Sequence, residues 1–280
     1  MGNNTTSGSL PLLGNIDGAW RRYDVENPRG LVLLVHGQGE HMGRYGHVAA
    51  HLNNAGFAVH TFDLRGHGLS GGTRGHTMSW ADYLDDVDRN LRLAREAVPG
   101  VPWFLLGHSM GGLVAIRWAQ ERPQALPNAL IVSNPLLKLA FEVPRVKAVV
   151  GRWMSDIWPS LALPTGLDAN GLCHDPAVVQ AYKNDPLVHD KASSRWFTSM
   201  TDAMAKSHAH ARDLMLPVLT LIGASDPIVA AAGAEQFHAA VGSPEKRKEV
   251  WPHMFHEIFN EPDQALPLNA AVAFMNEHLG

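Results

Sequence analysis

The chain has 280 residues, 45% of them hydrophobic and 18% charged, which excludes a disordered chain and leaves a soluble globular protein with one large core or two modest ones. A formal net charge of −4 excludes a general nucleic-acid binder, which needs a basic face. A single cysteine, Cys173, excludes an intramolecular disulfide and a Cys-rich zinc site, so the expected setting is a reducing one, the cytoplasm.

The N-terminal residues are polar and lack the basic and apolar regions of a signal peptide. Gly2 meets the loose pattern for N-myristoylation, one that short sequences often meet by chance. From Ala19 to Val25 apolar and charged residues mix, as in an antiparallel edge strand, before Asn27-Pro28 turns the chain. Leu31 to Val35 is a continuous apolar run of the kind that is buried on both faces of a parallel sheet. It stops at His36-Gly37-Gln38-Gly39-Glu40-His41. That loop is no dinucleotide fingerprint, because Met42 stands where the third glycine belongs.

A second apolar run spans Phe57 to Phe62. Trp80, Leu84, Val87, Leu91, Ala94 and Val98 then recur at alternating spacings of four and three, which predicts a helix with one apolar stripe. Ser79 and Asp82 form its capping box, and Pro99-Gly100 ends it. Further strand-like runs cover Trp103 to Leu106, Ala129 to Val132, Val218 to Ile222 and Glu249 to Trp251. Strands alternating with helices imply a mostly parallel sheet covered on both faces. The stretch 135–214 breaks the rhythm with helical, Trp- and Met-rich pieces and no strand signal. At about 80 residues it is too long for a plain loop, so it is read as a structured insertion. Residues 1–134 and 215–280 would then make the core, and 135–214 a helical cap.

Chemistry concentrates at Gly107-His108-Ser109-Met110-Gly111, between a buried strand and the apolar helix Gly112 to Gln120. This is the setting of the Gly-x-Ser-x-Gly nucleophile elbow. A serine needs a base to take its proton, and the base needs an acid to orient it. Asp226 and His256 each follow a core strand, in the order this architecture requires; His256 is favoured over its neighbour His253. The oxyanion hole would use the N–H groups of Met110 and, from the glycine-flanked loop, Gln38.

Four segments together carry a family resemblance: His36 to His41 with Arg44-Tyr45; Asp63-Leu64-Arg65-Gly66-His67-Gly68-Leu69-Ser70; Gly107 to Gly111; and Asp226 with His256-Glu257. The chain resembles α/β-hydrolases of the monoacylglycerol lipase and lysophospholipase type, also grouped with serine aminopeptidases. The resemblance implies an α/β-hydrolase fold with a helical cap over Ser109, no cofactor, and hydrolysis of monoacylglycerols or similar single-chain lipid esters through an acyl-enzyme. It would place Glu40, Arg44 and His108 at the polar end of the site, near a glycerol leaving group. Some relatives carry a second histidine three residues after the catalytic one; here that position is Phe259. A short-chain carboxylesterase, or a peptidase or amidase using the same triad, are the alternatives, while a dehalogenase or epoxide hydrolase would need an aspartate in place of Ser109.

Asp63 and Arg65 are read as bracing the loop beside the site. His208-Ala209-His210 could suggest metal ligands, but no further ligand accompanies the pair, so a surface or cap position is the reading. Val146, Val149, Val150, Trp153, Met154, Ile157 and Trp158 repeat at helical spacing. Two readings stay open there: a cap helix packed on the core, or one whose outward aromatics make transient contact with a membrane or lipid-droplet surface.

Overall fold

The computed structural model describes residues 4–142 and 145–280, so Gly2 and its acylation pattern lie outside the described residues. In chain order the core begins with strands β1 (Asn4–Leu12), β2 (Ile16–Asp24) and β3 (Gly30–Val35), helix α1 (Gly46–Asn54), β4 (Phe57–Phe62), α2 (Trp80–Ala97), β5 (Trp103–His108), α3 (Met110–Glu121) and β6 (Ala129–Ser133). The stretch 135–214 holds α4 (Arg145–Ile157), β7 (Ala162–Pro164), α5 (Pro176–Asn184), β8 (Lys191–Ser193) and α6 (Ser194–Ala209). The chain returns to the sheet with β9 (Val218–Gly223), α7 (Ala231–Ala240), β10 (Lys246–Trp251) and α8 (Ala265–Glu277).

Eight strands form one sheet in the order β1-β2-β4-β3-β5-β6-β9-β10. The two N-terminal strands run antiparallel, as β1 to β2 and β2 to β4; every other pairing is parallel. The expected edge strand at Ala19 to Val25 is thus the second arm of a hairpin. Its first arm, Asn4–Leu12, is polar and carries no apolar alternation, so it left no signal in the sequence. Pro11 is accommodated there because the strand is at an edge.

Strands β3 to β6 and β9 are buried along their whole length, and their side chains alternate between two cores. Leu31, Leu33 and Val35 face one core with the stripe of α2, the body of α3, and Phe237 of α7. Val32 and Leu34 face the other, with Val48 and Leu52 of α1 and Leu268, Phe274 and Met275 of α8. The capping box of Ser79 and Asp82 forms as read from the sequence.

The insertion departs from its reading in one respect. It contains a strand pair, β7 with β8, antiparallel over three residues each. Pieces that short cannot display a period, which is why the sequence concealed them. Helix α6 packs onto the core: Trp196, Met200 and Ala203 are buried in the same cluster as α2 and α3.

Candidate functional site

The residues singled out from the sequence converge at the carboxyl ends of β3, β5, β6, β9 and β10, where ligands bind in open α/β sheets. Ser109 follows β5 directly and adopts φ 52° and ψ −118°, a conformation that costs a non-glycine residue about 1–3 kcal/mol. The surrounding packing imposes it. The Ser109 N–H donates to the Ser133 carbonyl at 3.0 Å, and the Ser109 carbonyl accepts from Leu113 and Leu136. The flanking glycines are required by close approach: a Cβ on Gly107 would lie 2.3 Å from the Gly111 carbonyl, and one on Gly111 2.2 Å from that of Val35. Helix α3 begins at Met110, so its positive end lies beside the serine.

Asp226 is placed by the turn after β9, where the Ile228 and Val229 N–H groups donate to its Oδ1 at 2.7 and 2.9 Å. The turn is knitted to the loop after β10 by bonds from Ala224 N–H to Trp251 and from Ser225 N–H to Met254. His256 sits on that second loop. Its Nδ1–H donates to Asp226 Oδ2 at 2.6 Å, which leaves Nε2 to accept from the Ser109 hydroxyl at 2.9 Å. All three side chains are buried. Burial works against a charged His256 ring, but the charge and hydrogen bond of Asp226, with Glu257 and Glu40 beyond, outweigh it and raise the imidazole above its ordinary value. Asp226 is lowered: His256 and the two N–H donors overcome the opposing effect of burial. His253, the rival base, is exposed and lies 3.7 Å from Asp263.

The loop after β3 passes close to the serine, for a Cβ on Gly37 would stand 3.2 Å from that of Ser109. Among the described residues, neither the Gln38 nor the Met110 N–H donates to a protein group, so both are free to serve an oxyanion. The Gln38 side chain spans two neighbours. Its Nε2 donates to the Lys191 carbonyl of β8 at 2.9 Å, and its Oε1 lies 3.1 Å from His67 Nε2, whose ring places Nδ1 on the Arg65 carbonyl.

Glu40 and Arg44, expected at the polar end, belong to an internal ionic cluster. Glu40 Oε1 accepts from Gly37 N–H and the Tyr45 hydroxyl, and its Oε2 from Arg44. The same guanidinium grips both oxygens of Glu257, at 2.6 and 2.7 Å, and lies over the Tyr182 ring of α5. Burial would raise Glu40, but Arg44, His108, His36 and the Tyr45 hydroxyl hold it at about 2. His108 hydrogen-bonds Ser133 Oγ through Nδ1, and its ring lies 4.8 Å from that of His256. Burial, then the neighbouring His256, push it down to about 4.

Asp63 receives the Met42 and Leu69 N–H groups on its two oxygens, and Arg65 is paired with Asp86, so this turn braces the loop after β3. His208 reaches the Leu137 carbonyl while His210 pairs with Asp213, so the two rings do not converge. Among the described residues no group of three His, Cys, Asp or Glu side chains is placed to hold a metal ion.

One residue of the site escaped the sequence reading. Asn134, directly after β6, donates from Nδ2 to Asp226 Oδ2 at 2.6 Å. The available signal was a buried strand ending in Asn-Pro, which reads equally well as an ordinary turn.

Comparison with known proteins agrees with this fold. The model of the serine aminopeptidase (S33) family matches residues 26–263. The monoacylglycerol lipase of Mycolicibacterium smegmatis is 34% identical over 262 residues, covering 92% of this chain and 93% of that protein. The phospholipase YtpA of Bacillus subtilis is 31% identical, covering 92% and 99%. The crystal structure of the Paleococcus ferrophilus monoacylglycerol lipase superposes with a TM-score of 0.84 at 36% identity, covering 92% of this chain and 98% of that one. The fold is that of an α/β-hydrolase. The chain belongs to the serine aminopeptidase (S33) family and is a serine hydrolase.

Proposed function

We propose that this chain hydrolyses carboxylic esters of single-chain lipids, monoacylglycerols foremost, with Ser109 as nucleophile, His256 as base and Asp226 as its orienting acid. The observation that carries the reading is the hydrogen-bonded chain from Ser109 Oγ to His256 Nε2 and from His256 Nδ1 to Asp226, on a strained serine at a helix N-terminus. Similarity to proteins named as monoacylglycerol lipases over nine-tenths of the chain supports the substrate class.

Ser109 Oγ attacks the ester carbonyl as its proton passes to His256, and the Gln38 and Met110 N–H groups receive the oxyanion. Collapse breaks the carbon–oxygen bond to the alcohol, which leaves with the proton from His256. Water, deprotonated by the same imidazole, then releases the fatty acid from Ser109. Residues 135–214 act as the cap over this centre. His108 faces the leaving alcohol, while Glu40 and Arg44 shape the wall behind it.

The ionic cluster favours esters over peptides. An aminopeptidase needs a carboxylate free to hold the substrate ammonium, and the oxygens of Glu40 and Glu257 are all engaged by internal donors. On α4 and just beyond it, Val149, Trp153, Ile157 and Trp158 are exposed, as are Phe141 and Leu163. Side chains of Val146 and Val150 lie outside the described residues. These apolar groups make the face that meets a lipid surface, and no described helix is long and apolar enough to cross a membrane.

The test is a panel of monoacylglycerols, short p-nitrophenyl esters and aminoacyl anilides, with fluorophosphonate labelling of wild type and Ser109→Ala. Turnover highest on monoacylglycerols, with labelling lost in the variant, is expected. Faster anilide cleavage would overturn the substrate class, and absence of labelling the mechanism.

A further inference from the structure

We propose that Asn134 is a positioning residue of the hydrolytic site, holding the Asp226 carboxylate toward His256 and sharing its negative charge. This rests on the reading of Ser109, His256 and Asp226 as the reacting system.

The orientation of the Asn134 amide is fixed by its partners. Oδ1 accepts from the Gly223 N–H at 2.7 Å, so Nδ2 is the end that meets Asp226 Oδ2, at 2.6 Å, with the Phe255 carbonyl 3.3 Å away. Its main-chain N–H donates to Leu221 at 2.9 Å. One buried side chain therefore ties together the end of β9, the acid and the residue before the base. The backbone there has φ 38°, a left-handed conformation that asparagine tolerates better than most residues.

The position on the carboxylate matters. Oδ1 is occupied by the Ile228 and Val229 N–H groups, while Asn134 and His256 share Oδ2. A second donor on that oxygen weakens it as an acceptor for the imidazolium. Without the carboxamide, Oδ2 would serve His256 alone, hold the protonated ring more strongly and turn more freely. The other groups facing His256 are the Glu257 and Glu40 carboxylates, the Ser109 hydroxyl and the His108 ring, and a change at residue 134 removes none of them.

The experiment compares wild type with Asn134→Gly, which keeps the left-handed backbone, and with Asn134→Ala. Each is measured for kcat and KM on a p-nitrophenyl ester, for the pH profile of kcat/KM, and for Tm. The expected result is a loss of roughly ten- to a hundredfold in kcat, because a carboxylate free to turn no longer keeps the ring aligned with Ser109, with KM little changed. The acid limb of the profile moves to higher pH. A folded variant with the wild-type midpoint overturns the proposal, as does a lowered Tm with unaltered kinetics. Failure of both variants to fold also overturns it, by making the role structural. Wild-type labelling by a fluorophosphonate separates the two readings: if it fails, the catalytic reading falls, and if it succeeds while Asn134→Gly behaves as wild type, only the present proposal does.

Discussion

The Gln38 side chain donates to the Lys191 carbonyl at 2.9 Å, tying the loop after β3 to the short strand β8. A second tie lies next to it, from the His189 N–H to the Gly39 carbonyl at 2.9 Å. The main-chain donor proposed for the oxyanion is thus held from the inserted stretch 135–214 as well as from the sheet. Gln38→Ala keeps that N–H and removes the side-chain bond to Lys191. One neutral hydrogen bond is worth about 0.5–1.5 kcal/mol, so kcat is expected to fall by up to about tenfold while Ser109 remains labelled. Steady-state kinetics on one soluble ester decides it; unchanged kcat would remove the tether from the mechanism.

Arg44 is shared by Glu40 and Glu257, and its side chain is 9% exposed. Arg44→Met would leave two buried carboxylates facing each other without their cation. Breaking such a pair from one side costs about 3–5 kcal/mol. Urea unfolding should show that loss at constant m-value, and adding Glu257→Gln should return part of it by removing one stranded charge. A destabilisation below about 1 kcal/mol would mean the cluster is screened by solvent like a surface pair.

What the sequence disclosed, and what it hid, follows from how each feature is encoded. Leu31 to Val35 and the stripe from Trp80 to Ala94 declare themselves because burial demands apolar residues at fixed periods. Ser109 was legible because Gly107 and Gly111 are dictated by backbone close approach, which ties a local motif to a local geometry. The distances among Ser109, Asp226 and His256 are set by where five strands end, and one-dimensional order carries only their succession. Asn134, Glu257 and the Gln38 side chain act through partners 92, 213 and 153 residues away, and no local pattern marks such pairs. The 16 histidines make the same point. His36 resolves into a fixed tautomer, with Nδ1–H to the Gly37 carbonyl and Nε2 accepting from Leu64, and the His67 and His189 rings meet at 4.8 Å, tilted by 43°, between core and insertion.

Two further buried histidines, His60 of β4 and His108 at the end of β5, set a stability prediction. Burial drives His60 and His108 down to about 4, so both stay neutral in the fold at pH values where the unfolded chain protonates them. The unfolded state then binds more protons, and stability present above about pH 6.5 is lost as pH falls toward 4. Each ring costs on the order of 2 kcal/mol at pH 5. Tm should fall clearly between pH 7.5 and 5, and His60→Gln should reduce the size of that fall even if its Tm is lower throughout. An equal fall in the variant would assign the acid sensitivity to other groups.

His256 runs the opposite way, and its direction can be read in the rate. Its folded value is raised, so the ring holds its proton to higher pH than a free imidazole near ~6.5. Only the neutral ring can take the Ser109 proton, so kcat/KM should climb with pH to a half-maximum above about 6.5. Asp226 is the chief charge opposing burial at this ring. Asp226→Asn should therefore lower kcat by about 10⁴-fold and move the remaining activity's midpoint to lower pH, because burial then acts with less opposition. The measurement is kcat/KM from pH 5 to 9 on a p-nitrophenyl ester with the background hydrolysis subtracted. A wild-type midpoint at or below 6.5, or one that Asp226→Asn leaves in place, would mean that Asp226 does not govern the proton on His256.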